Sequence, residues 1–268
     1  MMKNRMKTRL LSILMLAAAV ASMPSCHGSA DADDSDEAVD SIPDDSLGLE
    51  PLDLFEEEVI PESVDELFDD FLYSYITNQD FMHQRTMRGI HPLMLGDEQP
   101  LMVIYEREED LELQKDTAVT EVVVEQIDWS NDAILMYKFG KNSGRWMLNQ
   151  VTDNEISNTP NASFLVFLRD FLADSLYRSE SIQLPLIMRY YSDEDETEVE
   201  SEMTADDWNA LYADLPDMSQ QIVNVDYGQS LFSKNRKSIQ LQELSNGLFM
   251  KFHFDFTDGR WRLIEIEG

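Results

Sequence analysis

The residues best suited to chemistry in this sequence lie in one short stretch after its acidic N-terminal part. Tyr73, Tyr75, Asp80 and His83 could act together, because a carboxylate or an imidazole beside a phenol can move protons on a small substrate. A structural explanation fits the same residues: Tyr75 lies in a core, Tyr73 lies at its rim, and Asp80 caps a helix. In a chain with 53 acidic residues, an acid near a tyrosine carries little information. We therefore predict no catalytic residue.

Large aromatic residues could instead bind a ligand, since apolar side chains line most small-molecule pockets. The candidates for a pocket are Tyr73, Tyr75, Trp146 and Trp261. The alternative is that the two tryptophans close a core beside a turn. The sequence leaves both interpretations open.

Motifs for metals and cofactors are missing from the sequence. It contains no Cys-x-x-Cys or His-Glu-x-x-His spacing. It also lacks a glycine-rich phosphate loop and a Gly-x-Ser-x-Gly nucleophile motif. The acidic stretches 31–36 and 193–196 lack the glycine and the final Glu of an EF-hand loop. We therefore predict no cofactor and no metal site.

The composition predicts a largely globular protein with a strong negative charge. The chain has 268 residues, of which 43% are hydrophobic, and a net charge of −33. This charge argues against nucleic acids and anionic membrane surfaces as partners, because both require a basic surface. A single cysteine excludes a disulfide framework and a Cys-rich zinc site.

The N-terminus is organised like a lipoprotein signal. A basic start without acids precedes the apolar segment 10–21, which is shorter than the roughly 20 residues that span a bilayer. Residues 23–25 then resemble a relaxed lipobox before Cys26, the only cysteine. We predict that residues 1–25 are a signal peptide and that Cys26 is lipidated. A soluble secreted protein, cut near Ala21, is the alternative.

Residues 26–60 are predicted to be an acidic, disordered tether. From His27 to Glu66 the chain has sixteen acidic residues and no Lys or Arg. Such a composition buries too little apolar surface to offset the entropy cost of ordering. The acylated Cys26 would then attach the protein to the bacterial outer membrane. The predicted location is extracytoplasmic, in the periplasm or on the cell surface.

The rest of the chain contains an internal repeat. Segment 130–146 aligns without gaps on segment 245–261, with an offset of 115 residues, and both end in Gly-Arg-Trp. Upstream, the Asp-Phe-Leu at 70–72 matches the one at 170–172, with an offset of 100. The difference predicts about 15 additional residues in the second half, in an acidic loop at 192–202.

Each half is predicted to begin with helices. Apolar residues spaced i, i+3 and i+4 follow Ser63, which with Glu66 has the sequence of a capping box. The same apolar spacing follows Asn161 and Ser163, either of which could cap the second helix.

Each half is predicted to end with a β-hairpin. Alternating apolar residues flank the turns Ser143-Gly144 and Asp258-Gly259. In the second hairpin His253 alternates with phenylalanines, so we expect it on the exposed face. Helices followed by antiparallel strands define an α+β fold, with units at 61–157 and 158–268.

This order of elements resembles the nuclear-transport-factor-2-like (NTF2-like) fold, a cystatin-like cone, over residues 61–268. With its signal, acidity and tandem form, the chain is similar to a Bacteroidota lipoprotein family of unknown function. The resemblance implies two tandem units, each with N-terminal helices packed on a curved antiparallel sheet. It also implies a pocket between the sheet and the helices. Some proteins with this fold are isomerases or dehydratases, and others only bind ligands or partners.

We predict a lipid-anchored extracytoplasmic binding or interaction protein without catalysis. Its partners are the membrane, through the acylated Cys26, and an unknown protein or small molecule, but not nucleic acid. One alternative is a small-molecule isomerase or lyase that uses an acid–base pair in one cone. Another is a structural component of an envelope complex.

Overall fold

The computed structural model describes residues 66–96, 99–192, 196–242 and 249–268. They belong to one unit of the chain that runs from Pro61 to Gly268. The predicted signal peptide, tether and Cys26 lie outside the described residues. Within the described part, no helix is long and apolar enough to cross a membrane.

Helices and strands follow each other in the order expected for an α+β chain. The α-helices are α1 (Phe68–Thr77), α2 (Gln79–Gln84), α3 (Ala162–Ala173), α4 (Ser175–Glu180) and α5 (Ala205–Tyr212). The strands are β1 (Leu101–Tyr105), β2 (Glu121–Asp128), β3 (Ala133–Asn142), β4 (Arg145–Glu155), β5 (Ile182–Ser192), β6 (Thr197–Met203), β7 (Gln221–Asp226), β8 (Arg236–Gln242), β9 (Phe249–Thr257) and β10 (Arg260–Glu267). In the described part of the chain, 3₁₀ helices cover Glu108–Lys115 and Ile156–Asn158.

All of these strands join one sheet, in the order β4-β3-β2-β7-β1-β8-β9-β10-β5-β6. Most neighbouring strands are antiparallel, but β1 pairs in parallel with β7, and β10 pairs in parallel with β5. The sheet is therefore mixed, and the prediction of a purely antiparallel sheet is wrong for these two pairs.

Helices cover both faces of the sheet at its centre. Leu101, Val103 and Tyr105 of β1 pack in a cluster with α1, which we call the α1 core. Met102 and Ile104 pack in a second cluster with α3 and α5, which we call the α3 core. Because successive side chains of a strand point to opposite faces, the two cores lie on opposite sides of the sheet.

The predicted boundary between residues 157 and 158 does not separate two sheets. β7, which follows this boundary, lies between β1 and β2, which precede it. β1 in turn pairs with β8 of the second half. Each half therefore supplies one central strand to the other, and the division into two tandem units stays a prediction.

The two hairpins repeat each other in register, which confirms the predicted offset of 115. Ser143-Gly144 and Asp258-Gly259 form the turns, and all four residues have positive φ. The strand register shifts at Asn149 in β4 and at Ile264 in β10, again 115 residues apart. Turn and bulge thus keep the same spacing in both hairpins.

The helices repeat with an offset of 96, so the predicted offset of 100 is wrong by about one helical turn. Asn78 and Asp174 cap α2 and α4, and each side chain accepts from N–H groups of its helix. Phe68 and Phe164 pack on the tryptophans of their own hairpins, with ring centroids 5.1 and 5.0 Å apart. In both pairs the two residues are 96 positions apart. Because the hairpins are 115 positions apart, the second half contains 19 additional residues between its helices and its hairpin.

The acidic stretch 192–202 is not a loop over its whole length. Residues 197–203 form β6, which pairs with β5 at an edge of the sheet. Its residues Glu198, Glu200 and Glu202 are exposed. Charged side chains on an edge strand oppose pairing with another chain, so this segment protects the edge.

Both helices begin without a side-chain cap. Asn161 occupies the predicted N-cap position of α3, but its side chain accepts no hydrogen bond from the described residues. α1 begins at Phe68, and its predicted cap, Ser63, lies outside the described residues. Glu66 instead lies 3.3 Å from the Arg85 guanidinium and joins the start of α1 to the end of α2.

Candidate functional site

The structure does not bring together the four residues predicted to line a pocket. Tyr75 and Trp146 are buried in the α1 core. Trp261 is buried in the α3 core, on the other face of the sheet. Tyr73 lies on the surface with 47% of its area exposed. These positions agree with the structural alternative, in which the tryptophans close a core.

Aromatic rings fill the interior of the α1 core. The rings of Phe68, Phe71 and Tyr75 pack against Phe139 of β3, with centroids 5.4, 5.6 and 5.4 Å away. The Tyr75 hydroxyl forms a hydrogen bond of 2.6 Å with Thr86 Oγ1. The space that a ligand would need is therefore occupied by side chains.

The α3 core contains a cavity of about 20 Å³. Mainly apolar side chains line it, among them Phe171, Trp208, Met218 and Phe252. This volume is comparable to that of one water molecule, whereas pockets for organic ligands measure about 300–1,000 Å³.

An acid and a tyrosine meet at the edge of the α1 core. The hydroxyl of Tyr227, which follows β7, donates a hydrogen bond to the Asp69 carboxylate of α1. Burial raises the pKa of Asp69, partly offset by the hydrogen bond from Tyr227. Burial and the neighbouring Asp69 charge raise the pKa of Tyr227. A carboxyl group whose pKa is raised is suited to proton transfer.

This pair was not predictable from the sequence, because its members are 158 residues apart and the strand exchange brings them together. The only available signal was that both residues flank apolar segments. The acids and tyrosines that sequence proximity did suggest, Asp80 and Tyr73, do not form such a pair: Asp80 lies in the first turn of α2, and Tyr73 is exposed.

The pair gives a testable pH dependence. Because folding raises the pKa of Asp69 above its ordinary value of 3.8, ionisation of this group makes folding less favourable as the pH rises. Asp69→Asn keeps an oxygen acceptor for Tyr227 and removes the charge. We expect the variant to melt at a higher temperature than the wild type at pH 7, with a difference that shrinks towards pH 3. Asp70→Asn, at the exposed neighbouring position, is the control. A lower melting temperature for Asp69→Asn at pH 7 would contradict this assignment.

A second group of polar side chains lies between the 3₁₀ helix 108–115 and the sheet, on the face opposite the α3 core. We call it the polar cluster; its members are Tyr105, Glu108, Ser238, Lys251, His253 and Glu267. Ser238 and His253 are partners on β8 and β9, and their neighbours Ile239 and Phe252 point into the α3 core.

Charged groups in the polar cluster hold each other in place. The Lys251 ammonium lies 2.6 Å from Glu108 Oε2 and 3.1 Å from Glu267 Oε2. Tyr105 donates a hydrogen bond of 3.0 Å to Glu108 Oε1. Although burial alone would raise the pKa of Glu267, the hydrogen bonds and charges of Lys251 and His253 lower it. The arrangement therefore favours a cation between the two carboxylates.

The expected exposure of His253 is wrong, although its predicted face is right. The side chain points away from Phe252 and Phe254, which are buried in the α3 core. Only 15% of it is exposed, because the Tyr105 ring packs against it at 6.4 Å and Ser238 forms a hydrogen bond to it. The second layer that covers this face comes from the first half of the chain.

A buried ion pair nearby has a structural role. The Lys237 ammonium contacts the Glu106 carboxylate, and only 3% and 10% of these side chains are exposed. The Ser233 N–H donates to both carboxylate oxygens, at 2.7 and 2.8 Å. These contacts hold the segment before β8 against the end of β1, so the strand exchange is fixed by charge as well as by apolar packing.

Comparison with known proteins gives a family and a fold. A family model described as a domain of unknown function, DUF4348, matches residues 90–268. A solved structure of an NTF2-like protein from Bacteroides fragilis NCTC 9343 is similar, with a TM-score of 0.64 and 26% sequence identity. The match covers 76% of this chain and 96% of that chain. None of the curated proteins matches. The likeness supports the predicted NTF2-like α+β fold.

Proposed function

The chain belongs to the DUF4348 family, and we propose that it is a lipid-anchored, extracytoplasmic binding or interaction protein without catalysis of its own. The proposal combines an NTF2-like scaffold with an N-terminal sequence suited to lipidation. Its ligand or partner is a protein or small molecule that binds at the surface.

One observation carries the binding role: side chains fill the places where an NTF2-like cone would hold a substrate. Three rings of α1 pack directly on Phe139, and the cavity in the α3 core measures about 20 Å³. Catalysis on a small molecule needs a pocket that encloses it. A filled interior instead supports recognition by the outer surface.

The tandem interpretation becomes more specific with the sheet order. We infer that the chain consists of two NTF2-like units that have exchanged one strand, β1 for β7. The repeated hairpins and the repeated ring packing on α1 and α3 support this interpretation. In each unit the strand that completes the sheet then comes from the other half.

The anchor can be tested at its cysteine. Cys26→Ser removes the thiol that a lipid would be attached to, so we expect the variant to leave the membrane fraction or to accumulate with its signal uncleaved. The measurement is fractionation of cells followed by immunoblotting, with Ser25→Ala as a control that keeps a small residue before the cysteine. A Cys26→Ser protein that is processed and stays with the membrane would rule out the lipid anchor.

The binding role can be tested by capture from the native membrane. The anchored protein is cross-linked in cells and isolated, and the co-purifying proteins and small molecules are identified by mass spectrometry. We expect a defined partner that is retained by the Asp69→Asn variant, since that residue is not on a binding surface under this proposal. A stoichiometric envelope assembly would favour the structural alternative.

The pair of Asp69 and Tyr227 favours one other function, an isomerase or lyase. A buried carboxyl group beside a phenol could protonate and deprotonate a small substrate, if the α1 core opened to admit one. Turnover of a co-purified small molecule that is lost in both Asp69→Asn and Tyr227→Phe, but kept in Asp70→Asn, would establish the enzyme and exclude the non-catalytic proposal.

A further inference from the structure

Three potential metal ligands meet in the polar cluster, although they come from distant parts of the chain. Glu108 lies in the 3₁₀ helix, His253 in β9 and Glu267 in β10. Each offers one ligand atom, and these three atoms lie within 4.8 Å of one another. The group therefore combines one imidazole donor with two carboxylate donors.

The orientation of His253 supports a ligand role. Its Nδ1 lies 2.8 Å from Ser238 Oγ, which fixes the ring. Its Nε2 lies 3.3 Å from Glu267 Oε1, so a ring protonated on Nε2 pairs directly with this carboxylate. In the other tautomer the Nδ1–H donates to Ser238, and the Nε2 lone pair faces the same carboxylate oxygen. A cation placed between these two atoms would then be bound by both. Metal-bound histidines are commonly oriented in this way through their second nitrogen.

We propose that Glu108, His253 and Glu267 form a binding site for a divalent transition-metal ion such as Zn²⁺. Zinc bonds of about 2.0–2.2 Å in a tetrahedron place neighbouring ligands roughly 3.3–3.6 Å apart. The separation of His253 Nε2 and Glu267 Oε1 already has this value. Imidazole with carboxylate suits zinc, whereas Mg²⁺ and Ca²⁺ prefer oxygen ligands alone.

Lys251 is the internal competitor for this site. Its ammonium group contacts the carboxylates of Glu108 and Glu267, where it supplies the positive charge that a metal ion would supply. A lysine side chain is long and flexible, so the ammonium can move to solvent when a metal ion enters. Removing the ammonium should therefore strengthen metal binding.

The test is calorimetric titration of the full chain with ZnCl₂ at pH 7.5. The acidic N-terminal part can bind zinc weakly, so the comparison is between variants that all retain it. We expect one tight site in the wild type and at least a tenfold loss of affinity in His253→Ala. His91→Ala, which removes an exposed histidine, should bind like the wild type. Lys251→Met should bind several-fold more tightly.

Two results would overturn the proposal. One is equal zinc affinity in His253→Ala and His91→Ala; the other is a loss of affinity in Lys251→Met. Should His253→Ala fail to fold, the near-isosteric Glu267→Gln decides the matter, with the same tenfold loss expected. Melting temperatures with and without ZnCl₂ give a second readout: zinc should raise that of the wild type and of Lys251→Met, and leave that of Glu267→Gln nearly unchanged.

Discussion

Replacing Trp261 with alanine is expected to lower the free energy of unfolding by about 3–5 kcal/mol, the usual cost of truncating a buried large aromatic side chain. Trp261 is buried in the α3 core, where its ring lies 5.0 Å from Phe164 and 5.3 Å from Phe256. Trp146 has the same position in the other hairpin, so Trp146→Ala should cost a similar amount. Urea unfolding, followed by far-ultraviolet circular dichroism of the backbone, measures the free energy of unfolding of both variants without relying on tryptophan fluorescence.

A finer comparison separates the two tryptophans. Trp146 Nε1 donates a hydrogen bond of 2.9 Å to the Glu66 carbonyl, whereas the buried Trp261 Nε1 has no hydrogen-bond partner among the described residues. Both Trp→Phe variants lose ring volume, but only Trp146→Phe also loses a hydrogen bond. Trp146→Phe should therefore be the more destabilising by about 1 kcal/mol.

The control for these variants is Tyr191→Ala, which removes an aromatic side chain from β5 that is largely exposed. We expect it to change the free energy of unfolding by less than about 0.5 kcal/mol. A neutral Trp261→Ala beside a destabilising Tyr191→Ala would mean that the faces of these strands are assigned the wrong way round.

Local patterns in the sequence predicted the hairpins well. The alternation of Phe252 and Phe254 with polar residues sets the buried face of β9, and Asp258-Gly259 sets its turn. Both features depend on neighbours along the chain. The repeat of 115 residues was visible for the same reason, since turn, bulge and tryptophan all lie within one hairpin.

Such local patterns could not predict the contacts between the two halves of the chain. β1 and β7 are short apolar strands, and nothing in either one specifies a partner from the opposite half. The same contacts bury His253 under Tyr105 and bring Asp69 to Tyr227. The helix repeat was misaligned by one turn because a period of about four residues makes neighbouring turns of an apolar helix look alike.

These errors have a common consequence for the candidate sites. The acid and tyrosine pair and the polar cluster both combine residues from the two halves: Asp69 with Tyr227, and Glu108 with His253 and Glu267. A search for motifs within either half misses both. The exchange of β1 and β7 is therefore the feature that brings the residues of both candidate sites together.

Neither half of the chain is expected to fold alone. Residues 61–157 lack β7, the strand that lies between β1 and β2, and residues 158–268 lack β1, the strand that covers the free edge of β8. In each fragment an apolar central strand and one face of its core would be exposed to water, at a cost that exceeds the 5–15 kcal/mol by which domains are usually stable. Circular dichroism should show no cooperative unfolding transition for either fragment, and mixing the two should restore one.

The matched control keeps the halves together until after folding. A protease site inserted between Ser157 and Asn158, both of which are exposed, allows the intact chain to fold before it is cut. We expect the cut protein to elute as one complex on size exclusion and to unfold in a single transition, because β1 stays paired with β8 and β7 with β2. Fragments that separate after cleavage, each with its own cooperative transition, would show that the units are independent and that the exchanged strands do not bind the halves together.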